Sequence, residues 1–237
     1  MESVATSKAI KIIEILKKTY PKAKIVLNYS NPWELLVSVI LSAQCTDKQV
    51  NKVTDKLFRK YKTVRDYAKV PQSEFETDIR STGFYKNKAG NIIATAKIIL
   101  DKYHGKVPNT FGDLLTLRGV ARKTANVVLG NAYKIYQGIA VDTHVLRISQ
   151  RLRLVDLKTI GGRKKMMVGM LDTIDFLKDA DPVKIEKQLM NIVPKKDWFK
   201  YTYLIIDHGR AICKSISPNC IKCPLSNLCP VSRTKLN

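Results

Sequence analysis

The stretch Leu117-Arg118-Gly119-Val120-Ala121-Arg122-Lys123-Thr124-Ala125-Asn126, followed by an apolar run and then by Ala140-Val141-Asp142-Thr143-His144, decides the fold of this chain. Gly119 lies between an apolar segment that ends at Leu117 and a second segment whose apolar residues recur at helical spacing. The pattern predicts a helix, a tight hairpin and a second helix. Backbone N–H groups at such a turn lack intrahelical partners, and the positive end of the second helix adds to their field. We therefore expect an anion site there, suited to nucleic acid phosphate.

The same stretch supplies an amine and a carboxylate, Lys123 and Asp142, on separate elements. In the first turn of the second helix, the helix dipole and the neighbouring Arg122 both favour the neutral form of the Lys123 amine. A neutral amine attacks the masked aldehyde carbon of a sugar to give a Schiff base, and a carboxylate assists departure of the leaving group. The alternative is that Lys123 is an ordinary exposed lysine and Asp142 a helix cap.

Composition points to a globular protein with a polyanionic partner. The chain has 237 residues, 45% of them hydrophobic, and its 42 Lys and Arg against 20 Asp and Glu give a formal net charge of +22. The first helix, at residues 1–18, is amphipathic rather than a signal peptide, and no apolar run is long enough to cross a bilayer. We therefore expect an intracellular protein, cytoplasmic or nucleoid-associated, that binds nucleic acid and not a membrane.

Apolar residues recur at helical period throughout, which predicts an all-α protein; only residues 24–27 leave room for a short strand. Within residues 158–180, Gly161-Gly162 and the basic run Arg163-Lys164-Lys165 precede an apolar stripe. The stripe predicts a helix packed on the second domain, while the basic run leaves an added DNA contact open. The stripe consists of Met166, Met167, Met170 and Leu171.

Several blocks of the chain resemble the endonuclease III family of base-excision DNA glycosylases, in the same order and over most of the chain. The hairpin stretch and its Asp142 carry the strongest resemblance. The other blocks are Ser42-Ala43-Gln44-Cys45-Thr46-Asp47, Ser81-Thr82-Gly83-Phe84-Tyr85-Lys86-Asn87-Lys88-Ala89 and His208-Gly209-Arg210. The resemblance implies that Lys123 is the Schiff-base nucleophile and Asp142 the catalytic carboxylate.

By the same resemblance, Gln44 enters the gap that an extruded nucleotide leaves in DNA, and Phe84 is its partner wedge. Such fillers offset the cost of unstacking. The competing interpretations are a polar residue at a buried helix end for Gln44 and a core residue for Phe84. The hairpin residues expected to contact DNA are Arg118, Gly119, Ala121 and Arg122.

The hairpin departs from the family pattern, which usually reads Leu-Pro-Gly-Val-Gly. Here Arg118 replaces the proline and Ala121 the second glycine. If the second position needed a positive φ, alanine there would cost on the order of 1 kcal/mol. Arg118 would compensate through a phosphate contact.

The family arrangement implies two helical domains with a DNA-binding cleft between them. One is a six-helix domain at residues 24–138 that carries the helix-hairpin-helix motif. The other, a helical iron–sulfur domain, combines residues 1–23 with 139–237. On that layout Lys123 and Asp142 face each other across the cleft.

Four cysteines near the end of the chain form the remaining motif. In an intracellular protein, four thiols within one short loop indicate a metal site, and zinc and iron–sulfur clusters both accept four thiolates. Zinc ribbons usually present two separate Cys-x-x-Cys pairs, whereas this spacing resembles the [4Fe–4S] loop of the endonuclease III family. The implied ligands are Cys213, Cys220, Cys223 and Cys229.

These features predict a bifunctional DNA glycosylase and abasic-site lyase of base excision repair. We expect a monomer that acts on damaged double-stranded DNA, removing oxidised pyrimidines and cleaving abasic sites by β-elimination. Monofunctional adenine or mismatch glycosylases share the hairpin and the cysteine loop but generally lack a lysine at the position of Lys123. The other rival is a DNA-binding protein without activity, which the joint presence of Gln44, Lys123 and Asp142 disfavours.

Overall fold

In a computed structural model, which describes residues 3–167 and 173–235, the chain forms two compact units. One is continuous, Ile25–Gln137, and the other combines Met1–Lys24 with Gly138–Asn237. Among the described residues, no helix combines the length and the apolar character needed to span a bilayer.

The continuous unit is built from helices around one apolar core. Helix α2 begins at Pro32, where the side chain of Asn31 accepts a hydrogen bond from Glu34 N at 2.9 Å, and it is buried on nearly all sides. Its helices are α2 (Pro32–Leu41), α3 (Asp47–Lys60), α4 (Val64–Lys69), α5 (Gln72–Ile79), α6 (Tyr85–Tyr103), α7 (Phe111–Leu115) and α8 (Arg122–Val128), which ends in a π-helical turn over Leu129–Tyr133.

The discontinuous unit joins the start of the chain to its second half. Helix α1 packs on α10 and α11, and an ion pair of 2.6 Å between Lys17 Nζ and Asp197 Oδ1 fastens it there. Helix α9 packs on α11 as well. The helices are α1 (Val4–Thr19), α9 (Thr143–Arg151), α10 (Pro182–Ile192) and α11 (Trp198–Ala211).

The helix predicted within residues 158–180 is wrong. The segment forms an antiparallel pair of strands, β1 (Lys165–Met167) and β2 (Ile174–Leu177), with an irregularity in the register between Met166 and Met167. Met170 and Leu171 of the predicted stripe lie outside the described residues. In β2 the buried residues run Asp175-Phe176-Leu177 without alternation, so the period-two pattern of a half-exposed strand is missing. No strand forms at residues 24–27.

Candidate functional site

The predicted hairpin joins α7 to α8 through a turn at Gly119. Its φ is +75°, and a Cβ built there would come within 3.1 Å of the Asn91 side chain, so both conformation and space require glycine. Thr95 holds the turn in place, because its hydroxyl donates a hydrogen bond to the carbonyl of Arg118 at 2.9 Å. Arg118 itself is exposed.

The expected strain at Ala121 does not arise. Ala121 precedes the first residue of α8 with φ −100° and ψ 174°, an extended conformation that alanine adopts freely. Its methyl group provides no capping bond, so the first N–H groups of α8 receive nothing from this side chain.

Lys123 is the second residue of α8 and is exposed. The preceding residue, Arg122, is half-buried and places its guanidinium 4.8 Å from the centre of the Phe111 ring. Lys123 is thus adjacent in sequence to Arg122, whose guanidinium contacts the Phe111 ring, and lies close to the glycine turn.

Asp142 is the N-cap of α9, as the alternative interpretation of this residue expected. Its Oδ1 accepts hydrogen bonds from His144 N at 2.9 Å and Val145 N at 2.8 Å, and the residue is half-buried. Both capping bonds fall on Oδ1, which leaves Oδ2 outside the cap. Capping therefore fixes the carboxylate in one orientation and is compatible with a role in catalysis.

Gln44 and Phe84 share two properties. Both have positive φ, +53° and +48°, and both are exposed, Phe84 by 62%. The interpretations of Gln44 as a buried helix end and of Phe84 as a core residue are therefore wrong. A left-handed conformation at a non-glycine residue is strained, and it persists only where the surrounding structure enforces it.

All four C-terminal cysteines line one cavity, which they share with apolar side chains such as Ile148, Leu225 and Val231. Burial, together with repulsion from the neighbouring sulfurs, raises the pKa of the Cys223 and Cys229 thiols to about 11. Converging thiols of this kind suit a positively charged group that offsets their repulsion. Among the described residues, no three His, Cys, Asp or Glu side chains are arranged around a position for a single metal ion.

Arg151, at the end of α9, clamps the start of the cysteine loop to strand β2. It is 3% exposed and its five N–H groups have five acceptors. Nε and Nη2 donate to the two carboxylate oxygens of Asp175 at 2.8 and 2.6 Å. The other bonds go to Cys213 Sγ at 3.2 Å and to the carbonyls of Lys214 and Ser215 at 2.7 and 2.8 Å.

His208, from the His208-Gly209-Arg210 block, faces the same cavity. Its Nε2 lies 3.6 Å from Cys223 Sγ, and its Nδ1 lies 3.2 Å from the hydroxyl of Tyr20. Burial, helped by the charge of Arg147, lowers the pKa of His208 to about 4. The imidazole is therefore neutral at neutral pH.

The family model for HhH-GPD superfamily base excision DNA repair proteins matches residues 37–168. The chain is 45% identical over 223 residues to an endonuclease III of Synechocystis sp., covering 94% of this chain and 92% of that protein. It is also 45% identical over 210 residues to an endonuclease III of Bacillus subtilis, covering 89% of this chain and 86% of the relative.

The chain belongs to the endonuclease III family. Its fold matches the solved structure of a trapped endonuclease III–DNA covalent intermediate with a TM-score of 0.85 at 40% identity, covering all of both chains. The family resemblance and the helical fold class predicted from the sequence are thereby confirmed, although the pair β1 and β2 makes the structure mostly helical rather than all-α. The class of enzyme is confirmed too, a DNA N-glycosylase and abasic-site lyase of base excision repair.

Sequence reasoning missed two buried side chains beside the predicted sites. One is Arg151, for which the sequence offers no signal, because its partner Asp175 lies in the segment predicted as a helix. The other is Lys88, which is 4% exposed and donates to the carbonyls of Leu41 and Thr82. Its position on the apolar side of α6, with Ala89 and Ile92, was the available signal.

Proposed function

We propose that this member of the endonuclease III family removes oxidised pyrimidines from duplex DNA and cleaves the resulting abasic site, with Lys123 as nucleophile and Asp142 as catalytic carboxylate. The observation that carries the proposal is the exposed amine of Lys123 on the first turn of α8, directly after the glycine turn. A lysine there separates this chemistry from that of monofunctional glycosylases.

The bonds change in two stages. Lys123 Nζ forms a bond to C1′ of the damaged nucleotide while the bond from C1′ to the base breaks, and the base leaves with the electron pair and gains a proton. Loss of an amine proton and opening of the sugar ring then give an imine between Nζ and C1′. Removal of a proton from C2′ breaks the bond from C3′ to its oxygen, so the strand is cut 3′ to the lesion and the phosphate leaves.

Asp142 serves this sequence as a fixed carboxylate. The two N–H groups at the start of α9 hold Oδ1, and Oδ2 is the oxygen available for proton transfer or for stabilising positive charge at the sugar.

Residues of the continuous unit bind the DNA backbone and fill the space left by the extruded nucleotide. The turn at Gly119, with the exposed Arg118, the N-cap residue Ala121 and Arg122, suits a phosphate at the start of α8. The exposed side chains of Gln44 and Phe84 are suited to fill the space left by an extruded nucleotide. In the discontinuous unit, Arg163 and Lys164 are exposed too and would add a phosphate contact.

Cys213, Cys220, Cys223 and Cys229 fit a [4Fe–4S] cluster, since their shared cavity is lined by apolar side chains and closed by Arg151 and His208. When bound, the cluster supplies a cross-link that orders the loop, and with four thiolates as ligands it has no open coordination position. We expect purified protein to be yellow-brown and to contain iron; a colourless protein that contains zinc would contradict this assignment.

The enzyme is proposed to act as a monomer in the cytoplasm, at the nucleoid. We also propose the two domains predicted from the sequence, residues 24–138 and residues 1–23 with 139–237. Lys123 belongs to the first domain and Asp142 to the second.

The proposal is tested by borohydride trapping on duplex DNA with one thymine glycol or one abasic site. Wild-type protein is expected to form a covalent adduct that Lys123→Gln does not form, because glutamine keeps much of the size and lacks the amine. Lys97→Ala, which removes one positive charge from an exposed position on α6, should trap like the wild type.

Each other outcome contradicts a defined part of the proposal. Release of the base without any trapped adduct would favour a monofunctional glycosylase, and binding without base release would favour a protein that lacks activity. An adduct that persists in Lys123→Gln would exclude Lys123 as the nucleophile.

A further inference from the structure

Lys88 is a lysine buried in the continuous unit. It lies in the first turns of α6, is 4% exposed, and its Nζ donates to the carbonyl of Leu41 and to the carbonyl of Thr82, each at 2.8 Å. Both acceptors are main-chain carbonyl oxygens. A lysine is rarely buried in this way, because removing the ammonium from water is costly unless the protein replaces the lost hydrogen bonds.

The first acceptor is a helix end. Leu41 is the last residue of α2, where the final carbonyls have no partner within the helix and carry the negative end of its dipole. The ammonium of Lys88 caps this end. Burial lowers the pKa of Lys88, and the nearby Cys45 opposes that shift.

The second acceptor belongs to a different loop. Thr82 is buried and its hydroxyl donates to the carbonyl of Ile79 at 2.8 Å, which fixes the peptide whose oxygen Lys88 binds. The backbone N–H of Lys88 also donates to the carbonyl of Phe84 at 3.1 Å. The same residue therefore holds both sides of the turn that leads into α6.

The two loops joined by Lys88 are those that carry Gln44 and Phe84. Gln44 follows Leu41 by three residues and Phe84 follows Thr82 by two. Both residues are exposed and both have the strained left-handed conformation. Such strain needs a rigid support, and one ammonium bonded to both loops at once provides it. A second, exposed link between the same regions runs from Gln49 Nε2 to Ser81 Oγ at 2.7 Å.

We propose that Lys88 is a positioning residue that keeps the Gln44 loop and the Phe84 loop at a fixed separation, so that both side chains enter the DNA stack together. Lys88 itself touches no DNA. The inference rests on the proposed role of Gln44 and Phe84 as fillers and goes beyond it by naming what holds them in register.

The test compares a substrate that requires nucleotide extrusion with one that does not. The first is duplex DNA with thymine glycol, assayed by single-turnover base release with enzyme in excess. The second is single-stranded DNA with an abasic site, assayed by borohydride trapping. The temperature is set well below the unfolding midpoint of every variant, as measured by circular dichroism.

Lys88→Met keeps the length of the side chain and removes its donors. We expect single-turnover base release from the duplex to fall at least tenfold at saturating enzyme, while trapping on single-stranded DNA stays within about twofold of wild type. Lys86→Met removes the same charge from an exposed position on the same helix and should leave the saturated rate unchanged. If Lys88→Met fails to fold, Lys88→Gln retains a donor on a shorter stem and is expected to lose less.

A double-variant cycle separates positioning from general support of the fold. On a Phe84→Ala, Gln44→Ala background, Lys88→Met should lower base release no further, since there is nothing left to position. Equal loss on both substrates, a full additional loss on that background, or an unchanged duplex rate would each overturn the proposal. If the Phe84→Ala, Gln44→Ala variant itself releases base at the wild-type rate, the filler role fails instead.

Discussion

Gly119 and Ala121 lie two residues apart in the helix-hairpin-helix turn and have different backbone conformations. Gly119 needs its positive φ and the space that a Cβ would take from Asn91, whereas Ala121 is extended. We expect Gly119→Ala to lower the free energy of unfolding by about 1–3 kcal/mol, and to weaken DNA binding because the turn must shift. Urea unfolding monitored by circular dichroism measures the first effect, and fluorescence anisotropy with labelled duplex measures the second. An unchanged midpoint would mean that the turn relaxes without strain.

Ala121→Ser is the matched change in the opposite direction. The backbone at Ala121 already has the extended conformation of an N-cap, and a serine hydroxyl would accept a hydrogen bond from a backbone N–H in the first turn of α8. We expect the free energy of unfolding to rise by about 0.5–1 kcal/mol. A decrease in the same urea titration would show that the hydroxyl does not reach the helix.

At the residue scale the sequence predicted the glycine turn better than it predicted the surroundings of the candidate side chains. The spacing around Gly119 was enough to predict a turn, because glycine and helical periodicity are local signals. The exposure of Gln44 and Phe84 was not predictable from their own chemistry, since Phe is usually buried and only the folded loops show otherwise. The roles of Lys123 and Asp142 stay predictions until the trapping experiment.

The strand pair β1 and β2 is joined to α9 and to the residues just after it by side-chain hydrogen bonds. The Gln150 amide donates to the carbonyl of Leu177 at 3.1 Å and accepts from its N–H at 2.7 Å, as a neighbouring strand would. Arg153 donates to the carbonyl of Asp175, and Arg151 binds the carboxylate of the same residue. This element was missed because its partners are polar residues of a helix, which leave no alternating pattern in the strand.

Asp175→Asn tests the link between this hairpin and the cysteine loop. It removes the carboxylate charge that is paired with the buried guanidinium of Arg151, and breaking a buried ion pair typically costs about 3–5 kcal/mol. We expect a lower unfolding midpoint and faster loss of iron to a chelator, followed by visible absorbance, because Arg151 also holds Cys213 Sγ. Asp55→Asn, in an exposed Asp55–Arg59 pair, should change stability by less than about 0.5 kcal/mol. Iron loss at the wild-type rate in Asp175→Asn would show that the clamp does not secure the loop.

Helices α9 and α11 approach each other closely at Gly209. A Cβ there would overlap the ring of His144 and come within 3.0 Å of Ile148 Cδ1. We expect Gly209→Ala to lower the free energy of unfolding by about 1–3 kcal/mol, since the added methyl must displace packed side chains. Gly112→Ala is the control, because nothing lies within 4 Å of a Cβ in that helical position, and it should raise stability by about 0.4–1 kcal/mol. Thermal unfolding of both variants decides the comparison, and a stable Gly209→Ala would contradict the close approach.

On the scale of the whole molecule, the net charge of +22 is the dominant physical property. Lys and Arg are spread along the entire chain, so charge alone predicted a polyanionic partner but not the binding surface. The fold class followed from periodicity in the same way, because helical spacing is repeated in almost every element. The family comparison supplies the enzyme class, which neither property contains.

The salt dependence of DNA affinity distinguishes this general electrostatic attraction from phosphate contacts made by the helix-hairpin-helix turn at Gly119. Each phosphate neutralised by the protein makes the slope of log K against log salt concentration more negative by about 0.9. Several contacts should therefore weaken binding to duplex DNA at least about a hundredfold between roughly 50 and 200 mM KCl. Arg118→Ala should reduce the slope by about 1, because the exposed Arg118 beside the glycine turn is a proposed phosphate contact. Lys97→Ala removes the same charge from α6 and should leave the slope nearly unchanged. Anisotropy titrations over this range measure all three slopes with a duplex that carries a reduced abasic site, which prevents turnover. Equal slopes for Arg118→Ala and the wild type would exclude Arg118 from the interface and attribute its effect on affinity to net charge alone.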